Sequence, residues 1–250
     1  MQVSGLFWFT VTLVLLMLLQ RLLHREIQAV FLILSRSPEF TIALFSLLFL
    51  PGVLLHELRH YLMAVVLGVP TPRFSLIPQV LANGKLQLGY VETARTDIVR
   101  DSLIGAAPLF AGGIVVAFVA LTRLSLLPLW DALRAGQPSA FWAAATVLPQ
   151  ESDFPLWFYL LFTVSSTMLP SQSDRHAWLP LGLVLVVLIG LGVLAGAGPW
   201  MLSNLTPPLN AFLSATSVIF GLSAIVHVAL IIPSVALHAL LARLTGVDIA

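Results

Sequence analysis

Between Ala177 and Ala242 the chain carries no Asp, Glu, Lys or Arg. A stretch of that length without a formal charge cannot form the surface of a domain in water, because it leaves too little polar surface to face the solvent. The scarcity extends to the whole chain: 9% of residues are charged and 59% hydrophobic, against about 25% charged in a soluble domain. A soluble fold is excluded on that ground, and so is disorder, which needs the opposite composition. In lipid, backbone groups are satisfied only inside helices or a closed barrel. Barrel strands alternate with period two, whereas the apolar residues here run in continuous blocks. The expected class is an all-α polytopic, multi-pass integral membrane protein of about six transmembrane helices.

The blocks can be placed by their flanking residues. A first span fits Gly5 to Leu19 and is followed by Arg21, His24 and Arg25. The basic residues follow the apolar run rather than precede it, so the segment reads as a retained anchor, not a signal peptide. Residues 22 to 37 mix charges with apolar residues and suit an interfacial helix or connector. A helix from about Phe40 to Leu67 ends at Gly68 and Pro70. Residues 69 to 101 change character, and Asn83-Gly84 between alternating runs predicts a β-hairpin near the membrane surface. Further spans fit Ser102 to Leu121, Pro155 to Leu169, Leu179 to Ala197 and the long run Ala211 to Leu241, with Pro233 inside it. Residues 122 to 154 read as a mixed loop in which Ala140 to Leu148 lies on the interface. This divides the chain into an anchor and connector (1–38), a core (39–180) and C-terminal transmembrane helices (181–250).

Net charge is +1 and there are no cysteines. No basic block suggests nucleic acid. Disulfides, thiolate metal sites and cysteine nucleophiles are excluded, so any metal must be held by His, Asp or Glu.

The apolar helix 40–67 contains His56-Glu57-Leu58-Arg59-His60. On a helix, residues four apart share a face, so both imidazoles can address one ion. Glu57 lies about 100° round from His56, within reach of a water at that ion. This is the zinc hydrolase pattern H-E-x-x-H. Four ionisable residues within five positions of a span cost about 2.5–3.5 kcal/mol each on insertion scales, and a metal site accounts for that cost. Arg59 is expected to face a carboxylate or the interface. A catalytic zinc takes three protein ligands and keeps one position open. The third ligand is open among Asp174, His227, His238, Asp97 and Asp101, with the two C-terminal histidines better suited to packing and Asp174 also suited to forming a turn.

The order of these features resembles the site-2 protease family of intramembrane zinc metalloproteases. An H-E-x-x-H helix is followed by a β-rich loop. Next comes a span with Ala106-Ala107-Pro108-Leu109-Phe110-Ala111-Gly112-Gly113, similar to that family's small-Pro-small element. A further span ends in Met168-Leu169-Pro170 and then Asp174. The resemblance covers roughly residues 40 to 180 and is to a divergent, minimal member, with Ser165, Ser166 and Thr167 where the family carries an Asn. It implies that His56, His60 and Asp174 bind Zn2+ and that Glu57 is the general base. It also implies a membrane-protein or peptide substrate cleaved in or near its membrane-spanning segment. Tyr90 and Glu92 could line the substrate path, and Gly112 and Gly113 permit close helix packing. The resemblance favours an active site nearer the cytosolic face of a bacterial-type plasma membrane. That orientation puts Arg73, Lys85, Arg95 and Arg100 inside, with Arg175 and Arg243 following by alternation. The alternative function is a non-proteolytic zinc-binding membrane scaffold or assembly factor, which needs no open coordination position.

Overall fold

The computed structural model describes residues 4–80 and 86–247. It is all-α apart from short strands after the second helix. Among the described residues, five helical segments are long and apolar enough to cross a bilayer: Ser4–Ser35, Pro38–Val66, Ile98–Arg123, Trp178–Asn204 and Thr206–Thr245. They mark a multi-pass membrane protein.

Helix α1 runs unbroken over Ser4–Ser35, where the sequence suggested a span and a separate connector. Residues 20 to 35 contain neither Gly nor Pro, so nothing interrupts the hydrogen-bond ladder. The charges that suggested a break sit on interhelical faces or reach outward. Glu26 is buried, with Oε1 2.8 Å from Arg25 Nη2 and Oε2 2.6 Å from His238 Nδ1. The chain then reverses at Arg36, whose φ of 52° is left-handed. Ser37 caps the next helix, accepting from Phe40 N at 3.3 Å, and Pro38 fills the first helical position, where a missing N–H costs nothing.

Helix α2, Pro38–Val66, packs antiparallel to α1, with the His24 ring 4.7 Å from that of Phe49. It ends in a Schellman motif. Val69 N bonds to Ala64 O at 2.8 Å and Gly68 N to Val65 O at 3.1 Å, with Gly68 at φ 69°. Ala64 and Val69 add the apolar contact that accompanies this motif. Strand β1 (Arg73–Ser75) pairs antiparallel with β4 (Tyr90–Glu92), in register Phe74↔Val91. Inside that pair, β2 (Gln79–Val80) meets β3 (Leu86–Gln87). The expected Asn83-Gly84 turn and Lys85 lie outside the described residues.

Asp97 caps α3 (Ile98–Phe118) by accepting from Val99 N at 3.1 Å and Arg100 N at 3.0 Å. A π-helical turn extends it to Arg123. The expected loop 122–154 instead holds two short helices, α4 (Leu127–Arg134) and α5 (Pro138–Val147). Leu129 and Trp130 of α4 are buried. The Trp130 ring fills the space left by Gly221, where any side chain would collide with it.

Helix α6, Phe154–Thr167, has 14 residues, about 21 Å at 1.5 Å each and short of a bilayer core of about 30 Å. It is an inner helix with Leu161 through Ser166 buried, so the expected six spans are five long segments and one short central helix. It runs parallel to α2: Tyr159 Oη donates to Leu48 O at 2.9 Å, and Gly52 lets the Thr163 carbonyl approach where a Cβ would collide.

The segment Trp178–Asn204 divides into α7 (Trp178–Gly192) and α8 (Gly198–Asn204), with Gly196 at φ 87° between them. Neither helix fully buries a residue, although Trp178 Nε1 donates to Ser102 O of α3 at 3.3 Å. Helix α9, Thr206–Thr245, continues through Pro233 for 40 residues. It lies parallel to α1: Gly5 N donates to Asn210 Oδ1 at 2.9 Å, and further along Glu26 meets His238. Arg243 therefore sits at the end of the bundle that holds the α1–α2 turn, opposite the 67–97 loop. The expectation that Arg243 shares a side with that loop is corrected by this pairing.

Candidate metal centre

His56 and His60 project from one stripe of α2. Counting back from Val66, they lie about 15 and 9 Å from the end of that helix. Their rings are 4.8 Å apart, centroid to centroid. Each is oriented by its Nδ1: His56 Nδ1 is 2.6 Å from Thr167 O at the end of α6, and His60 Nδ1 is 2.8 Å from Ile104 O in α3. A carbonyl can only accept, so both Nδ1 atoms carry the hydrogen. In a neutral imidazole the other nitrogen then bears a lone pair. The two Nε2 atoms are 3.1 Å apart, so two lone pairs face each other across a short gap that a proton or a metal ion can bridge.

Asp174 reaches the same point from the segment after α6. Its Oδ1 is 3.3 Å from His60 Nε2 and its Oδ2 is 3.6 Å from His56 Nε2. Oδ2 also accepts from Ser171 N at 2.6 Å, while Asp174 N donates to Ser171 Oγ at 3.3 Å. The carboxylate therefore forms the Ser-rich turn and closes the triad at once. Gly105 makes the approach possible, since a Cβ there would collide with the Asp174 carbonyl. Burial pushes the Asp174 carboxyl up, but the imidazoles of His56 and His60 and the Ser171 contact outweigh it and hold the group at about 2. The acid is thus ionised at neutral pH.

His56, His60 and Asp174 offer ligand atoms that all lie within 4.8 Å of one another and could hold a metal ion. Ligands about 2.0–2.1 Å from a tetrahedral ion are about 3.3 Å apart. The separations of 3.1, 3.3 and 3.6 Å bracket that value. The Nδ1-to-carbonyl bonds are those that orient histidine ligands elsewhere. The residues present fit the ion.

Glu57 and Arg59 fall on opposite flanks of the His56–His60 stripe. Glu57 is 7% exposed and lines a cavity of about 490 Å³ together with the three ligand residues. Gly89, just before β4, packs on it: a Cβ there would sit 3.0 Å from Glu57 Cγ. Tyr90 and Glu92 line the same cavity. Arg59 departs from expectation, meeting neither a carboxylate nor the interface. It is 7% exposed, and both terminal nitrogens lack a hydrogen-bond partner among the described residues. Gly112 gives it room: a Cβ at 112 would come 3.0 Å from its Nη1 and 2.6 Å from Met168 Cβ. That places the guanidinium beside the C-terminal end of α6, where the helix dipole favours a cation.

The remaining candidates are not brought to the triad. His227 bonds to Ser166 and Ser223, His238 to Glu26, and Asp97 caps α3. Asp101 lies at the cavity mouth, 2.7 Å from His176 Nε2. The Ser173 carbonyl and then Asp101 raise the His176 imidazole above its usual 6.5, against burial, which lowers it. Sequence reasoning missed this pair, and it missed Thr167 and Ile104. Those two act through backbone carbonyls, which leave no trace in residue type.

The chain matches no protein-family model, no curated protein and no solved structure.

Proposed function

We propose that this chain is an intramembrane zinc metalloprotease of the site-2 protease kind, hydrolysing peptide bonds in or near the membrane-spanning segment of a membrane protein. One observation carries the reading. Two imidazole nitrogens and a carboxylate converge at separations suited to one ion, with Glu57 beside them on the wall of a shared cavity.

His56, His60 and Asp174 would hold the zinc. A zinc bound there would polarise the scissile carbonyl and bring the pKa of water down to about 7. Glu57 accepts the proton from the attacking water and passes it to the leaving amine nitrogen, so it ends the cycle as it began. Thr167 and Ile104 keep both imidazoles in the tautomer whose Nε2 faces inward. A helical substrate hides its carbonyls and must unwind to be cut. Strand β4 borders the cavity and, among the described residues, pairs with β1 alone, which leaves its other edge to hold an unwound segment by β-addition. A scaffold built around zinc would close the ion with a fourth protein ligand. Three ligands among the described residues and a cavity lined by polar side chains support hydrolysis instead. We place the end bearing the 67–97 loop toward the cytosol, following the resemblance noted above.

The test is zinc content and cleavage of a membrane-spanning reporter substrate by purified protein. Wild type is expected to hold about one zinc per chain and to cleave. Glu57→Gln should keep the zinc and lose cleavage by at least about 100-fold, the size of a general-base contribution. Purified wild type without zinc, or a Glu57→Gln variant as fast as wild type, defeats the proposal.

A further inference from the structure

We infer that Gln20 on α1 and His227 on α9 are positioning residues for the metal centre, acting through the last turn of α6. The inference rests on the metal-binding reading above.

The last turn of a helix is its weakest part, because its carbonyls have no partners further along the helix. In α6 that turn touches the candidate metal centre directly. The Thr167 carbonyl fixes the His56 ring at 2.6 Å, and the chain leaves from there through Pro170 to Asp174. A shift of this turn would move two of the three ligands together.

The turn is held from two sides by polar side chains of distant helices. Gln20 Nε2 donates to the Ser166 carbonyl. Ser166 Oγ lies 3.0 Å from His227 Nε2, and His227 Nδ1 lies 2.8 Å from Ser223 O. The Ser223 carbonyl can only accept, so His227 is protonated on Nδ1 and receives the Ser166 hydroxyl hydrogen on Nε2. Both ring nitrogens are satisfied in one orientation, and the ring is further fixed edge-on to Phe162 at 5.9 Å. Ser166 is 2% exposed and His227 is fully buried. At this depth a Leu would pack without any polar cost. An imidazole is therefore suited to something packing alone does not supply, namely a directional hold on Ser166.

The experiment is Co(II) titration of the purified, metal-free chain, read by the visible absorption of the bound ion, with thermal unfolding of the metal-free protein as the second measurement. Wild type is expected to bind one Co(II) with a tetrahedral-type band. His227→Leu, Ser166→Ala and Gln20→Leu should each weaken Co(II) by about tenfold, the lower end for residues outside the ligand set, and should shift the band. The double variant His227→Leu with Ser166→Ala should be no weaker than either single one, since both remove the same link. His227→Gln, whose side-chain oxygen can accept from Ser166, should keep the wild-type band. If the variants lower the unfolding midpoint but leave affinity and band unchanged, the residues merely pack and the inference is overturned. If His227→Leu does not fold, Ser166→Ala and Gln20→Leu decide by the same criterion. Wild type without a Co(II) band overturns the metal reading, and the inference with it.

Discussion

At His56 and His60 the same rule acts twice. A backbone carbonyl takes the Nδ1 hydrogen, and the free nitrogen of each ring is turned toward the other. Asp174 supplies the negative charge that this pair lacks. Asp174→Ala should therefore cost metal affinity more than about 100-fold, because residues outside the ligand set alone are worth about 10–100-fold; equilibrium dialysis against zinc measures it. At the cavity mouth, Asp101→Asn removes a charge that favours protonated His176. The His176 midpoint followed by NMR should fall, though not fully to 6.5, since the Ser173 carbonyl remains. The sign follows from the raised pKa: this contact stabilises the fold below about pH 6.5 and fades as pH rises through the His176 midpoint. His176 is 64% exposed, so the effect on stability is small. The H-E-x-x-H residues were legible because spacing alone puts both imidazoles on one stripe. Asp174 was one of five open candidates by residue type and stood out only through resemblance. Gln20 was not legible, as nothing in an apolar helix distinguishes a Gln that will face a carbonyl.

At the scale of elements, the stop at Gly68 was legible, and α2 and α3 begin within a few residues of the positions expected, but the caps were missed: Ser37 went unnoticed and Asp97 was taken as a candidate ligand. Composition misled where charge was taken as a boundary. Arg21, Arg25 and Glu26 do not end α1, because Glu26 finds His238 on a helix that lies far away in sequence. Length misled at α6, whose apolar run reads as a span but serves as a short core helix packed into the bundle. The junction of α3 with the Asp174 turn depends on one missing methyl. Gly105→Ala should push that turn away, lowering stability by about 1–3 kcal/mol and weakening metal binding; denaturation with and without zinc separates the two effects. Ser37→Ala should cost about 1 kcal/mol through loss of the α2 cap, without touching the metal centre.

For the whole molecule, the parallel pairing of α1 and α9 sets which ends lie together. Arg36, Pro38 and Thr245 line one shallow cavity, whereas Arg73 belongs to the loop at the opposite end. The chain has no cysteine, so single replacements report cleanly. In sealed vesicles, a membrane-impermeant maleimide should label Arg36→Cys and Thr245→Cys from one side and Arg73→Cys from the other. Labelling of Thr245→Cys from the Arg73 side would refute the α1–α9 arrangement. Such pairing is invisible in sequence, because both helices are apolar over most of their length and periodicity names no neighbour.

Gly5 and Asn210 are 205 positions apart, so a ribosome delivers α1 to the bilayer long before α9. Once residue 174 is made, the nascent chain already owns both imidazoles, the acid and the base, while α9 is still to come. It does not yet own His227 to steady Ser166. The helix that completes the packing around Ser166 is thus made after every residue of the triad.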